Sequence, residues 1–222
     1  MNIIVAGAGA IGGTVAVLLK EAGYECGVIG TTGIYVGEKY YSNKNTTPLA
    51  YDTLKYMDEM ARNGIKYVVM EVSSQSLKLD RVAGMEFYAG VFTNLSEDHI
   101  SEKEHENIQE YFECKMKIFD KCKYAYINAD NIYTAKVPEL IKNKCKVETY
   151  GIDNYCDFLA KDVTITNTYA DFKAKFDKKN ERVKVSIPGR FSVYNALAAI
   201  AITTKLGCDA ESIKTALLDL KV

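Results

Sequence analysis

The chain has 222 residues, with 28 Lys and Arg against 29 Asp and Glu and 48% hydrophobic side chains. A net charge of −1 argues against a polybasic nucleic-acid binder but not against a local phosphate site, and the apolar content suits a buried core rather than a disordered chain. No apolar run reaches the roughly 18–20 residues of a membrane span, and Met1–Val5 runs into glycines with no basic leader, so a cytoplasmic protein with no membrane span is expected.

In chain order, Ile3–Val5 reads as a buried strand and Ala10–Ala22 as a helix ending at Gly23. Val28-Ile29 is a second strand, followed by a hairpin through Ile34–Tyr41; Thr47-Pro48 then opens a helix running to Asn63-Gly64. Strands follow at Tyr67–Val72, Ala89–Thr93, Tyr124–Asn128 and Val147–Tyr150, with helices over Ile108–Phe119 and Ile132–Lys142. Continuous apolar strands separated by helices predict an α/β fold, a mostly parallel sheet covered on both faces. From Asp157 the period changes to that of half-exposed antiparallel strands, at Phe158–Thr166, Tyr169–Asp177 and Arg182–Ile187. Helices Val193–Leu206 and Ala210–Leu220 close the chain. The expectation is one domain: a parallel core over 1–156, an antiparallel appendage over 157–188 and closing helices over 189–222. Six scattered cysteines without a C-x-x-C pair read as reduced thiols rather than a disulfide framework or zinc site.

Gly7-Ala8-Gly9-Ala10-Ile11-Gly12 follows a strand and opens a helix, as in G-x-G-x-x-G. Glycines let a backbone approach a pyrophosphate, and a helix N-terminus offers N–H groups to it. Met1–Gly23 resembles the start of ketopantoate-reductase-type NADP enzymes. The acid that NAD sites place about 20 residues on is missing, however, since Gly30-Thr31-Thr32 stands there. Against the Walker A spacing Gly7, Gly12 and Thr14 fit, but Gly13 occupies the lysine slot. Gly7, Gly9, Gly12, Gly13 and Thr14 are therefore candidate phosphate contacts.

Seven segments, from Gly30-Thr31-Thr32-Gly33 through Asn45-Thr46-Thr47-Pro48, Met70-Glu71-Val72-Ser73-Ser74, Val91–His99, Tyr111-Phe112 with Lys115, Asn128-Ala129-Asp130 and Pro188–Leu197, resemble the Mur ligases in family order. They are most similar to the central domain of the tripeptide-synthetase (MurE) branch. The resemblance implies an ATP-dependent acid–amino-acid ligase of peptidoglycan precursor synthesis, in which a substrate carboxylate takes the γ-phosphoryl of ATP and an amine then displaces phosphate. It implies Glu71 and His99 as ligands of two magnesium ions, with a carbamylated Lys115 as a third ligand. It further implies Thr46, Thr47, Ser73 and Arg81 as contacts to the UDP-N-acetylmuramoyl-peptide, and Asn195 on the adenine side. Carbamylation needs a neutral amine, which burial favours, whereas the seven acids between Glu97 and Glu113 would act the other way. His105, in Glu104-His105-Glu106, is expected in solvent. The resemblance also implies flanking UDP-binding and amino-acid-binding domains that this sequence does not contain. The expected polypeptide is thus truncated or recombined, keeping the fold and much of the site. Two other readings stay open: an NAD(P)-binding oxidoreductase fragment, resting on Met1–Gly23 alone, and a non-catalytic nucleotide-binding module.

Overall fold

The computed structural model describes residues 2–6, 10–95, 100–101, 104–176 and 179–220. Its strands are β1 (Asn2–Ala6), β2 (Cys26–Gly30), β3 (Gly33–Val36), β4 (Lys39–Tyr41), β5 (Tyr67–Glu71), β6 (Phe87–Phe92), β7 (Cys122–Asn128), β8 (Lys146–Gly151), β9 (Phe158–Leu159), β10 (Lys161–Ile165), β11 (Ala170–Phe176) and β12 (Lys179–Val185). The helices are α1 (Ala10–Glu21), α2 (Ala50–Arg62), α3 (Ser74–Lys78), α4 (Ile108–Met116), α5 (Val137–Ile141), α6 (Arg190–Lys205) and α7 (Ala210–Asp219).

Nine strands form one sheet in the order β4-β3-β2-β5-β1-β6-β7-β8-β9. All neighbours from β2 to β9 run parallel, and the hairpin β3–β4 adds an antiparallel edge. In a dinucleotide fold the second strand lies beside the first. Here β5 separates β2 from β1, so the sheet is not wound as the oxidoreductase reading requires. The central parallel strands carry short apolar runs, Val68–Met70 in β5 and Ala125–Ile127 in β7, because both faces are covered there. On one face α1, α6 and α7 pack with the small sheet β10-β11-β12 around Leu18, Tyr126, Phe172, Leu197 and Ile202. On the other α2, α3 and α4 enclose Met60, Met70, Phe92, Phe119 and Ile127. Among the described residues no helix is long and apolar enough to cross a membrane.

Three expectations shift. The helix over Ile132–Lys142 shrinks to Val137–Ile141. Asn131 Oδ1 accepts from Tyr133 N, and the Thr134 hydroxyl donates to the Asn128 and Asn131 carbonyls, giving those residues a turn to satisfy instead. The strand Phe158–Thr166 breaks at buried Ala160, whose N–H donates to Gly151; β9 extends the large sheet and β10 joins the small one. Helix α3, five residues long, is too short for a periodic signal and escapes the sequence.

Candidate functional site

The chain leaves β1 through α1 toward β2 on one side, whereas β6 leads through α4 to β7 on the other. Ligands of open α/β sheets bind where the strand order parts in this way, outside the carboxyl ends of the strands. Two cavities lie there. One, of about 480 Å³, is lined by Thr46, Ser73, Arg81, Asn94 and Lys115 among others. The second, of about 410 Å³, includes Ile11, Asn128, Asp130, Phe191 and Asn195. Thr93 and Asn94, following β6, line both. Asn128 Nδ2 donates to the Thr93 carbonyl at 3.0 Å and fixes that shared turn.

Glu71 ends β5 and is 7% exposed. Its Oε2 accepts from Thr31 N at 3.1 Å and from the Thr31 hydroxyl at 2.7 Å. Thr31 follows β2 directly, and Gly30 lets the strands close on the carboxylate: a Cβ there would stand 2.9 Å from Glu71 Cδ. The Thr31 hydroxyl also lies 3.2 Å from that of Thr46. Thr47 is 0% exposed; its hydroxyl donates to the Glu71 carbonyl and accepts from Ser73 N, both at 3.0 Å. That hydroxyl therefore builds the rim rather than facing the cavity. Ser73 caps α3 by accepting from Ser76 N, and Arg81 Nη1 donates to the Thr47 carbonyl at 3.1 Å. Thr46, Ser73 and Arg81 thus share one wall, tied to Glu71 through Thr31 and Thr47.

Lys115, on α4, lines the same cavity. Its ammonium lies 4.9 Å from the Tyr111 ring centre and 5.6 Å from that of Phe92, and donates weakly to the Asn94 carbonyl at 3.4 Å. Burial pushes its pKa down to about 8. The conflict between acidic neighbours and burial resolves toward burial, because among the described residues it is two aromatic rings that lie against the amine.

His105 departs from expectation: it is 1% exposed. Its Nε2 lies 2.8 Å from Ser74 Oγ, and its ring stacks on Tyr111 at 4.9 Å. The adjoining glutamates point the sequence toward solvent, but these partners come from elsewhere in the chain. His105, Glu110 and Cys114 bring ligand-type atoms within 4.8 Å of one another. The Lys78 ammonium already neutralises Glu110 at 2.6 Å, and burial raises the Cys114 pKa, so the glutamate is engaged in an ion pair beside a protonated thiol.

In the second cavity, α6 starts after Gly189, whose φ of 98° favours glycine, and presents Asn195 one turn in. Asp130 faces it. Burial raises the pKa of that carboxylate, but N–H groups of Ile152, Asn154 and Asp153 with the Tyr194 hydroxyl outweigh burial and hold it below its usual value. Arg190 pairs with Asp153. In the first turns of α1 Gly13 is exposed with open space around a would-be Cβ, and Gly12 and Thr14 are buried. Gly7, Gly9 and His99 lie outside the described residues.

The structure thus gathers Thr46, Ser73, Arg81 and Lys115 around one cavity and sets Asn195 in its neighbour, with Glu71 and Thr47 in the wall behind. Thr31, Asn94 and Tyr111 stand in the segments that carry the resemblance, but the sequence reading assigned them no role in the site. Tyr111 could have been found, since it precedes Lys115 by four residues and shares its helical face.

The Mur ligase middle domain family model matches residues 13–203. The chain is 39% identical over 206 residues to the UDP-N-acetylmuramoyl-L-alanyl-D-glutamate--2,6-diaminopimelate ligase of Caldanaerobacter subterraneus subsp. tengcongensis, covering 92% of this chain and 42% of that protein. It is 36% identical to the ligase of the same name from Clostridium botulinum, covering 91% of this chain and 41% of that protein. The chain therefore spans under half the length of these relatives. A solved structure of such a diaminopimelate ligase superposes with a TM-score of 0.85 at 26% identity over 100% of this chain and 46% of its own. MurF from Acinetobacter baumannii shares the fold at a TM-score of 0.73 and 17% identity, over 100% of this chain and 46% of its own. With the family model spanning most of its length, the chain belongs to the Mur ligase family, of which it carries the middle domain.

Proposed function

We infer that this chain is the nucleotide-handling centre of a MurE-type ligase, acting in the cytoplasm on peptidoglycan precursors. The observation that carries the reading is the pair of cavities meeting at Thr93–Asn94, one walled by cationic Arg81 and Lys115, the other by Asn195. In this reading the UDP-N-acetylmuramoyl-peptide lies against Thr46, Ser73 and Arg81, whose planar guanidinium suits a phosphate or carboxylate. The adenine of ATP lies beside Asn195, and the triphosphate runs toward the glycine turn at Gly7, Gly9, Gly12, Gly13 and Thr14. The γ-phosphoryl then passes to the substrate carboxylate where the cavities join. An amine, 2,6-diaminopimelate by the relatives' names, displaces phosphate from the acyl phosphate.

The donor set fits magnesium: Glu71 offers carboxylate oxygen at a strand end, with Thr31 fixing its orientation, and a carbamylated Lys115 would add a second oxygen ligand. His99 is proposed as a further ligand. Bound magnesium would supply charge neutralisation of the phosphates. Lys115 suits carbamylation because its burial favours the neutral amine. Around that chemistry the chain's own groups position: Thr47 and Ser73 set the rim, and the Asn128–Thr93 bond sets the shared turn.

Calorimetric titration with ATP–magnesium and with NADPH tests the reading. ATP binding that weakens in an Asn195→Ala variant is expected. NADPH binding with no response to ATP would overturn it.

A further inference from the structure

His105 touches two helices that line the larger cavity. Through Nε2 it meets Ser74, the first residue of α3, whose preceding neighbour Ser73 and following Arg81 face the cavity. Through its ring, 26° from parallel, it packs on Tyr111 of α4, and the Tyr111 ring in turn lies 4.9 Å below the Lys115 ammonium. Its backbone closes a third link: the His105 carbonyl accepts from Ser101 N at 3.1 Å, and Ile100 bridges to His105, gathering the segment that follows His99. Sequestering an imidazole is unfavourable unless its nitrogens are engaged, and the Ser74 contact engages one here. An aliphatic side chain at 105 could fill the space without linking α3 to α4.

We propose that His105 is a positioning residue that clamps α3 to α4 and holds the Tyr111 ring beneath Lys115, keeping the amine dry and directed at the turn where the two cavities meet. The proposal deepens, and rests on, the reading of Lys115 as the amine that takes up CO2. In that step the neutral Nζ attacks the carbon of CO2. An N–C bond forms, one C=O π pair moves to oxygen, and a proton leaves Nζ for solvent, giving a carbamate of charge −1. His105 takes no part in the bond changes; it sets where Nζ sits.

The test uses the chain equilibrated with [13C]bicarbonate at pH 8, with the carbamate carbon read by NMR and assigned by its loss in Lys115→Arg. Acetylation of Lys115, followed by mass spectrometry in CO2-free buffer, gives a second readout. His105→Ala is expected to lose at least five-fold of the carbamate signal and to speed Lys115 acetylation at least five-fold. His105→Phe, which restores a ring against Tyr111 but cannot bond Ser74, is expected to recover only part of both. A folded His105→Ala with wild-type signal and wild-type acetylation overturns the clamp. Should His105→Ala fail to fold, Ser74→Ala, which removes only the bond to His105, decides: a lowered carbamate signal supports the clamp, and a folded variant with wild-type signal overturns the clamp. A wild-type chain with no carbamate signal instead removes the reading of Lys115, and the acetylation rates still judge the clamp.

Discussion

Replacing Lys115 by Met should make the protein more stable. The lysine's fall from 10.5 to about 8 corresponds to roughly 3 kcal/mol against holding the cation in the fold at neutral pH, at about 1.36 kcal/mol per pH unit. Partial solvent contact discounts this figure, and the variant forfeits cation–π contacts to Tyr111 and Phe92, worth about 0.5–1 kcal/mol each. Methionine keeps the unbranched stem and packs sulfur against the same rings. A net gain of about 1–2 kcal/mol is expected at pH 7 by urea denaturation in CO2-free buffer. The pH dependence sharpens the test. Both states hold the proton at pH 7, so the wild type carries the full penalty there. Between about 8 and 10.5 the folded lysine loses its proton while the unfolded one keeps it, and wild-type stability rises with pH. The advantage of Lys115→Met should therefore shrink from pH 8 upward. A variant less stable than wild type at pH 7, or an advantage unchanged at pH 10, would refute the desolvation argument.

Gly13→Lys fills open space at the lysine slot; it should tighten ATP–magnesium binding at least ten-fold by calorimetry with a stability change under about 1 kcal/mol, since better helix propensity opposes a cation near a helix N-terminus. Gly30→Ala drives a Cβ into the Glu71 carboxylate and should weaken Mn2+ binding, read by electron paramagnetic resonance, by at least ten-fold. Asp130→Ala strands the N–H groups of Ile152, Asp153 and Asn154 and the Tyr194 hydroxyl, and should lower stability by roughly 2–3 kcal/mol. Because the folded Asp130 pKa is depressed, its contribution is full well above the ordinary value of 3.8 and is lost as pH falls through the lower folded one; the difference between wild type and Asp130→Ala should therefore narrow in acid.

The parallel core was legible because buried strand segments such as Tyr67–Met70 and Tyr124–Ile127 leave short apolar runs between helical stretches. Their spatial order was not, since periodicity does not say that β5 would wedge between β1 and β2. At the site, Glu71 could be read from its strand-end position. The burial of His105 could not, because it depends on Ser74, 31 residues away, and on a helix whose packing no local pattern records. Thr47 shows the same limit: the resemblance implies a substrate-binding hydroxyl there, and only the fold reveals that main-chain groups engage it.

A crystal structure of the chain with a non-hydrolysable ATP analogue and Mn2+, the metal located by its anomalous scattering, goes to the heart of the matter. The base is predicted against Asn195 and the metal within ligand distance of the Glu71 carboxylate, on the side facing Lys115. A metal peak away from both residues, or a nucleotide bound outside the two cavities, would contradict the reading.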